Sequence, residues 1–329
     1  MLIPRRLLKI QIVWKMGVTG RLGANRMNFP LVIFLYRRPQ LVSELFVALQ
    51  SVRPSKIWLV ADGPKNSSEV ELCRQARSEA ETAIDWPCEV RRVYADTNLG
   101  LKNRIETGLD QVFESEAEAI ILEEDCHPTP NFFPFCEAML EKYRNEPRVG
   151  AISGNCFLPK RQVLTTDYYF SRYVDMWGWA TWTRAWKAYD RSRWAWPKEG
   201  FRKLFPNTDK TEEAYWNRIF GRMVSGELST WDYSWVSWFW MQGWVSITPA
   251  QNLVRNVGFG LDATNTHDVL AKTGLEREGL LCPPFKGPME IKADEVLDYA
   301  VLHNHLLRQE GRLSFWPRLR RSIAKRVRF

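Results

Sequence analysis

From residue 30 onward the chain alternates short apolar runs with longer mixed ones. The runs PLVIFLY (30–36), KIWLVA (56–61), CEVRRVY (88–94) and AIILE (119–123) have strand length. Between them lie a helical pattern through Leu41, Leu45, Val47 and Leu49, a charged amphipathic stretch over 66–84, and a helix through Leu101, Ile105, Leu109 and Phe113. Strand and helix alternating at this pitch predict βαβ units on a parallel sheet, whose buried strands read as continuous apolar runs. The second half reads differently. AISGN (151–155) predicts a further strand. WGWATWTRAW (177–186) sets Gly178 between two tryptophans, and a polar, proline-containing stretch spans roughly 190–210. TWDYSWVSWFWMQGW (230–244) has helical length, with Trp235, Trp238 and Trp240 at near-helical spacing expected in the core. A loop rich in Gly and Asn then runs to His267. No internal repeat or low-complexity segment occurs.

The polar residues that close the strands carry the chemistry. In a parallel α/β sheet, ligands bind outside the carboxyl ends of the strands. Arg37, Asp62, Asn98, Glu124 and Asp125 are therefore expected in one crevice. Glu123, Glu124 and Asp125 form an acidic triplet whose repulsion is costly unless a cation or a proton offsets it. A hard divalent cation, Mg²⁺ or Mn²⁺, takes one or two carboxylates plus substrate phosphates and stabilises charge on a leaving diphosphate. The same triplet is also compatible with a solvated acidic turn. Its position after the fourth strand favours metal–diphosphate binding. Arg37 suits a phosphate or a uracil carbonyl, and Asp62 suits a base or ribose contact. Asp232 suits a helix N-cap or first turn.

Composition changes this picture only in part. The 329 residues are 45% hydrophobic and 26% charged, an ordinary globular balance with material for a sizeable core. A net charge of +8 admits polyanionic partners. Much of that charge sits in the tail FWPRLRRSIAKRVRF, so nucleic-acid binding by the folded body is not supported. The tail, residues 315–329, reads as a basic amphipathic segment suited to an anionic membrane surface, or as a disordered basic end. The six cysteines form no C-x-x-C pair, and reduced, buried thiols in a cytoplasmic protein are expected. No apolar stretch reaches 18 residues, so no transmembrane helix is predicted, and residues 1–28 read as a poorly ordered extension rather than a signal peptide.

The stretch IILEEDCHPTPNFF resembles the acidic-motif segment of nucleotide-sugar glycosyltransferases of the GT-A fold, above all the N-acetylglucosaminyltransferase I type. VIFLYRRP and NLGLKNRIETGLDQVF resemble the first strand of that fold and the helix before its acidic motif. The likeness covers residues 29–160 well. It continues more thinly through WGWATW, the WDYSW helix and the GFGLDATNTH loop, which resemble a bacterial, family-2-like branch. It implies a GT-A, Rossmann-like, mostly parallel sheet flanked by helices, with an acceptor-side subdomain. The expected divisions are an extension at 1–28, a nucleotide-sugar half at 29–155, an acceptor half at 156–290, and a basic helical tail at 291–329.

Carried onto this chain, the resemblance implies nucleotide-sugar contacts from Arg37, Asp62, Asn98, Lys102 and Glu124, and metal contacts from Asp125, Glu123 and His267. Asp232 would be the general base, with Asp175 as the other candidate. Trp177 and Trp179 would stack on the acceptor. Glu123 and Glu124 depart from the commoner Asp-x-Asp form. The implied reaction moves a sugar from a nucleoside-diphosphate sugar, a UDP-sugar favoured, to a hydroxyl of a glycan or lipid-linked acceptor with inversion and a divalent cation. Peripheral attachment at the inner face of the plasma membrane would suit a lipid-linked acceptor. The competing readings are a non-catalytic sugar- or nucleotide-binding module, a structural interaction protein using exposed tryptophans, and a sugar nucleotidyltransferase. The last usually needs a Gly-rich loop after the first strand, where this chain has YRRPQ.

Overall fold

A computed structural model describes residues 27–191, 200–258, 277 and 279–307. The expectations for residues 1–26, for His267 and for the tail at 315–329 lie outside these residues. Four parallel strands form the first part of one eight-stranded sheet: β1 (Leu31–Leu35), β2 (Lys56–Ala61), β3 (Glu89–Tyr94) and β4 (Glu118–Glu123). β1, β2 and β4 are almost wholly buried, as their apolar runs require. β3 is the edge strand, and this accounts for Arg91 and Arg92 in its sequence, since charge protects an exposed edge.

The remaining strands are β6 (Val149–Ser153), β7 (Tyr168–Ser171), β8 (Trp179–Trp182) and β9 (Val245–Pro249), giving the order β3-β2-β1-β4-β8-β6-β9-β7. The sheet is mixed rather than purely parallel: β8 runs antiparallel between β4 and β6, and β7 antiparallel on β9. One sheet thus draws strands from both sides of residue 155. A two-stranded ribbon pairs β5 (Cys126–Pro128) with β10 (Val254–Asn256), directly after the acidic triplet.

Helices cover both faces, so the molecule has three layers around two apolar clusters. On one face lie α1 (Pro39–Leu49), α2 (Val70–Ala83) and α4 (Phe132–Lys142). On the other lie α3 (Leu101–Ser115), α5 (Thr183–Ala188), α6 (Phe201–Leu204), α7 (Lys210–Val224), α8 (Asp232–Met241) and α9 (Glu295–Val301). The polar stretch before residue 210 thus gives way to a 15-residue helix capped by Asp209, whose carboxylate accepts from the N–H groups of Thr211 and Glu212. The tryptophans fill the second cluster: Trp235 is buried against Trp179, Trp186 and Tyr189, and Trp240 against Trp216. Trp238 is partly buried.

The chain visits β1, β2 and β3 in one direction and returns to β4 on the other side of β1. That reversal opens a crevice at the carboxyl ends of β1 and β4. No helix among the described residues is long and apolar enough to cross a membrane. All six cysteines are free; four are buried, Cys88 is partly exposed and Cys282 is exposed, so burial of the thiols was expected too widely.

Candidate active site

A cavity of about 650 Å³ opens at the reversal between β1 and β4 and extends under α3, α7 and α8. Its volume suits a small-molecule ligand. Tyr36, Arg38, Asp62, Asn98, Glu123, Glu124, Asp125, Asp175, Trp177 and Asp232 all line it.

The β1 end is fixed by Pro39, which occupies the first turn of α1, where its preset φ suits a helix start. Arg38 is the N-cap residue, and its carbonyl accepts from Leu41 and Val42 N–H at 3.0 and 3.2 Å. With its backbone held so, Arg38 reaches β4. Its Nε donates to Glu124 Oε1 at 2.6 Å and its Nη2 to Asp125 Oδ2 at 2.9 Å. Burial opposes the guanidinium charge, but the two carboxylates outweigh it and raise the Arg38 pKa. Arg37 does not enter the cavity. It pairs with Glu69 at 3.2 Å on the α2 side, so the role expected for Arg37 moves to Arg38.

The acidic triplet divides by orientation. Glu124 is 2% exposed, and both its oxygens are occupied: Oε2 accepts from Tyr36 N–H at 2.7 Å, Oε1 from Arg38. Burial still raises its pKa. Glu124 thus fixes Arg38 and the β1 end, and it lines the cavity where a donor contact is expected of it. Glu123 turns to the opposite face of β4, and its carboxyl takes no hydrogen bond from the described residues. Surrounding protein, then the charges of Asp125 and Asp232, raise its pKa to about 8. Asp125 keeps Oδ1 clear of Arg38, and among the described residues it is met there only by the Cys126 thiol at 3.7 Å. Gly258 lies over this pair. A Cβ there would fall 2.1 Å from Asp125 Oδ2 and 2.9 Å from Arg38 Nη1, so only glycine permits this approach.

These positions decide how a divalent cation would fit. No three His, Cys, Asp or Glu side chains among the described residues converge on one point. Among the described residues, Asp125 and Glu123 leave carboxylate oxygens open. Two carboxylates completed by substrate phosphates is a set that Mg²⁺ or Mn²⁺ accepts, so the residues fit such a cation with Glu124 excluded as a ligand.

Asp62, at the end of β2, has both oxygens taken by the β3–α3 loop. Oδ1 accepts from Gly63 and Leu99 N–H at 2.9 and 2.8 Å, and Oδ2 from Asn98 Nδ2 and Gly100 N–H at 2.9 and 3.1 Å. Gly63 lets that loop close in, since a Cβ on it would lie 2.4 Å from the Thr97 backbone. Asp62 therefore shapes the wall that carries Asn98, and it lines the cavity where a base or ribose contact is expected of it. Lys102 lies outside the cavity, near Glu106.

Across the cavity, Asp232 occupies the first position of α8 rather than its N-cap, which is Trp231. Its Oδ1 accepts from the Thr230 hydroxyl and from Tyr233 N–H, the latter at 2.8 Å. Its Oδ2 has no hydrogen bond among the described residues. Burial raises its pKa, against the effect of those donors. Asp175 follows β7, and its backbone N–H donates to Ser153 Oγ at 3.0 Å. Its carboxyl takes no hydrogen bond from the described residues, and burial, then the charge of Asp298, raises its pKa to about 7.

Trp177 lines the cavity edge-on to Phe157 at 5.6 Å. Trp179 does not reach it. At 2% exposure it is stacked on Trp231 in the core at 5.8 Å, so the acceptor contact expected of Trp179 is corrected. Beyond Arg38, sequence reasoning also missed Arg104, the first-turn α3 residue that lines the cavity. Its only sequence signal is an arginine next to Ile105, one turn before Gly108, on a helix whose buried residues besides it and Glu106 are apolar or glycine.

No protein-family model matches the chain, and no curated protein matches it. Solved structures that it resembles include the mannosyltransferase PcManGT of Pyrobaculum calidifontis in complex with GDP-Man and Mn²⁺, at 15% identity over 92% of this chain and 76% of that one, TM-score 0.44. A putative glucose-1-phosphate thymidylyltransferase of Bacillus anthracis matches at 10% identity over 79% and 99%, TM-score 0.37. A UDP-glucose pyrophosphorylase complexed with UDP-glucose matches at 8% identity over 70% and 93%, TM-score 0.35. Likenesses this distant carry no argument about activity.

Proposed function

We propose that this chain is a glycosyltransferase that moves a sugar from a nucleoside-diphosphate sugar to an acceptor hydroxyl with inversion, assisted by Mn²⁺ or Mg²⁺. One observation carries the reading: the strand-end carboxylates Glu123 and Asp125 share a single cavity with a third carboxyl, Asp232. Asp125 and Glu123 would hold the cation, which supplies positive charge for the departing diphosphate. Arg38, fixed by Glu124, adds a second positive group on the same side.

Asp232 is the base in this reading. Its open Oδ2 takes the proton from the acceptor hydroxyl, while Thr230 and the Tyr233 N–H hold the other oxygen. The acceptor oxygen forms the new bond to the anomeric carbon. The bond from that carbon to the phosphate oxygen breaks, and its electron pair leaves with the nucleoside diphosphate. Opposite faces for attack and departure give inversion without an enzyme nucleophile. Trp177 offers the acceptor an aromatic wall. A cytoplasmic site of action, a UDP-sugar donor, and a glycan or lipid-linked acceptor met through residues 315–329 complete the proposal.

The test is nucleoside-diphosphate release from UDP-, GDP- and dTDP-sugars with and without Mn²⁺. Metal-stimulated release with one donor supports the reading, and no binding or release with any donor defeats it. Turnover instead of a nucleoside triphosphate with a sugar 1-phosphate would identify a nucleotidyltransferase.

A further inference from the structure

The walls of the cavity carry their positive charge in different places. Arg38, Lys65 and Arg104 line it from the ends of β1 and β2 and from α3. Among the described residues, the cation that lines the α7–α8 side is Arg222, in the last turn of α7. α7 ends at Val224, and Gly226 just past it has a φ of +77°, the left-handed turn that glycine adopts without strain. Leu228 N–H then donates to the Arg222 carbonyl at 3.0 Å. This reversal sets Glu227 Oε1 2.7 Å from Arg222 Nε and leads the chain through Thr230 to Asp232.

Glu227 takes only part of this guanidinium. Nη1 and Nη2 of Arg222 have no hydrogen bond among the described residues. The two side chains are 41% and 62% exposed, and an ion pair so open contributes little. Arg218 stands one turn before Arg222 on the same face of α7, its guanidinium 5.6 Å from the centre of the Tyr215 ring. Both charges act on the Tyr233 phenol, which lines the cavity beside the candidate base. Like charges four residues apart on a helix repel. The helix dipole favours Arg222 at the last turn, but not a second cation a turn earlier. The acids of α7, Glu212 and Glu213, pair with Arg172 and Arg202 near its start. An anionic group of a ligand would offset the repulsion and use the open fork of Arg222, since a guanidinium binds carboxylate or phosphate through two parallel N–H donors.

We propose that the acceptor carries an anionic group, a phosphate or a carboxylate, which Arg222 binds on the α7 side of the cavity while a hydroxyl of the same molecule meets Asp232. The proposal rests on the glycosyl-transfer reading above and narrows its acceptor class. A sugar linked to lipid through phosphate and a glycan containing a uronic acid are two sources of the same chemistry.

The experiment uses the full chain with its donor side filled by UDP and Mn²⁺, titrated with glucose, glucose 6-phosphate and glucuronate. Wild type is compared with Arg222→Gln, Arg222→Lys and Glu227→Gln, and UDP affinity and thermal unfolding are measured for each. Wild type is expected to bind at least one of the acidic sugars ~10-fold more tightly than glucose, the range for charge-assisted hydrogen bonds. Arg222→Gln is expected to lose that preference with UDP affinity and Tm close to wild type. Arg222→Lys keeps the charge without the fork and is expected between the two. Glu227→Gln releases Nε and is expected to strengthen the preference, an effect that a helix-end brace would not produce. Preference for glucose 6-phosphate alone assigns a phosphate, and preference for glucuronate alone a carboxylate. Equal binding of acidic and neutral sugars by wild type, or binding of none, overturns the proposal. So does a preference that survives Arg222→Gln. Failure of wild type to bind UDP defeats the nucleotide-sugar reading and this proposal with it, whereas UDP binding without an Arg222-dependent preference defeats this proposal alone.

Discussion

Glu124 Oε1 lies 2.6 Å from Arg38 Nε, and its other oxygen holds the Tyr36 N–H, so one buried carboxylate locks the end of β1 to the end of β4. Removing it should be structural before it is catalytic. Glu124→Ala strands a buried guanidinium and a backbone donor, and is expected to cost ~3–5 kcal/mol in chemical denaturation. Glu124→Gln keeps the shape but sets an amide against Arg38. It is expected to fold and to bind UDP with Mn²⁺ ~10-fold more weakly. Unchanged stability in Glu124→Ala would show that the lock is not needed.

Gly258 tests the same corner from above. Gly258→Ala would force its Cβ within 2.1 Å of Asp125 Oδ2, so Asp125 and Arg38 must part. Thermal unfolding is expected to change little, because the residue lies beyond the end of β10 and the added Cβ meets side-chain atoms rather than backbone. Mn²⁺-dependent nucleotide binding is expected to fall ~10-fold or more, by the loss of charged contacts. Wild-type binding in this variant would mean that the pairing plays no part in the site.

Much of this corner is legible in the sequence. Continuous apolar runs identify β1, β2 and β4, and Arg38-Pro39 and the acidic triplet mark their ends. The assignment of Arg37 instead of Arg38 fails because the chain turns at that point, and a strand's two-residue alternation says nothing past its last paired residue. Trp179 is expected to stack on the acceptor, yet it begins a central antiparallel strand, WATW. Its position between β4 and β6 depends on contacts far away in sequence, which local periodicity does not encode. Asp62 shows the converse: its place at a strand end is legible, but three of the four donors that occupy it come from a loop 36 to 38 residues away, the fourth being Gly63 next to it.

The two tryptophans that flank Gly178 should separate cleanly. Trp179→Ala empties a core site between Trp231 and Trp235 and is expected to cost ~3–5 kcal/mol of stability. Trp177→Ala is expected to leave unfolding nearly unchanged and to lower kcat/KM for the acceptor ~10-fold, with donor binding intact. Denaturation curves and steady-state kinetics on both variants decide this. A destabilised Trp177→Ala with normal kinetics would return Trp177 to the core.

Burial gives the protein a pH-dependent stability. Asp175 and Asp298 are each raised to about 7, against an unfolded value near 3.9. Between about pH 4 and pH 7 the folded state therefore binds more protons than the unfolded chain, so stability falls as pH rises through that window and levels off above it. Asp175→Asn is the clean probe, because the carboxyl it replaces has no hydrogen bond from the described residues. Denaturation at pH 5, 6, 7 and 8 is expected to give a flatter profile for this variant, with a gain on the order of 2 kcal/mol at pH 8. An unchanged slope would assign the pH dependence to other groups.

The two candidate bases are distinguished by Asp232→Asn and Asp175→Asn read as kinetics. Asp232 offers an Oδ2 with no hydrogen bond among the described residues, while Asp175 is raised by burial, then by the Asp298 charge. Asp232→Asn is expected to leave donor binding within about twofold and to lower kcat ~10²–10⁴-fold, the usual contribution of a general base. The rate of wild type is expected to rise with pH through the raised Asp232 pKa, because only the carboxylate accepts the acceptor's proton. In Asp175→Asn that rise should persist with kcat nearly intact. If Asp175→Asn loses the rate and the pH dependence while Asp232→Asn keeps both, the base is Asp175, and Asp232 serves only to orient the start of α8.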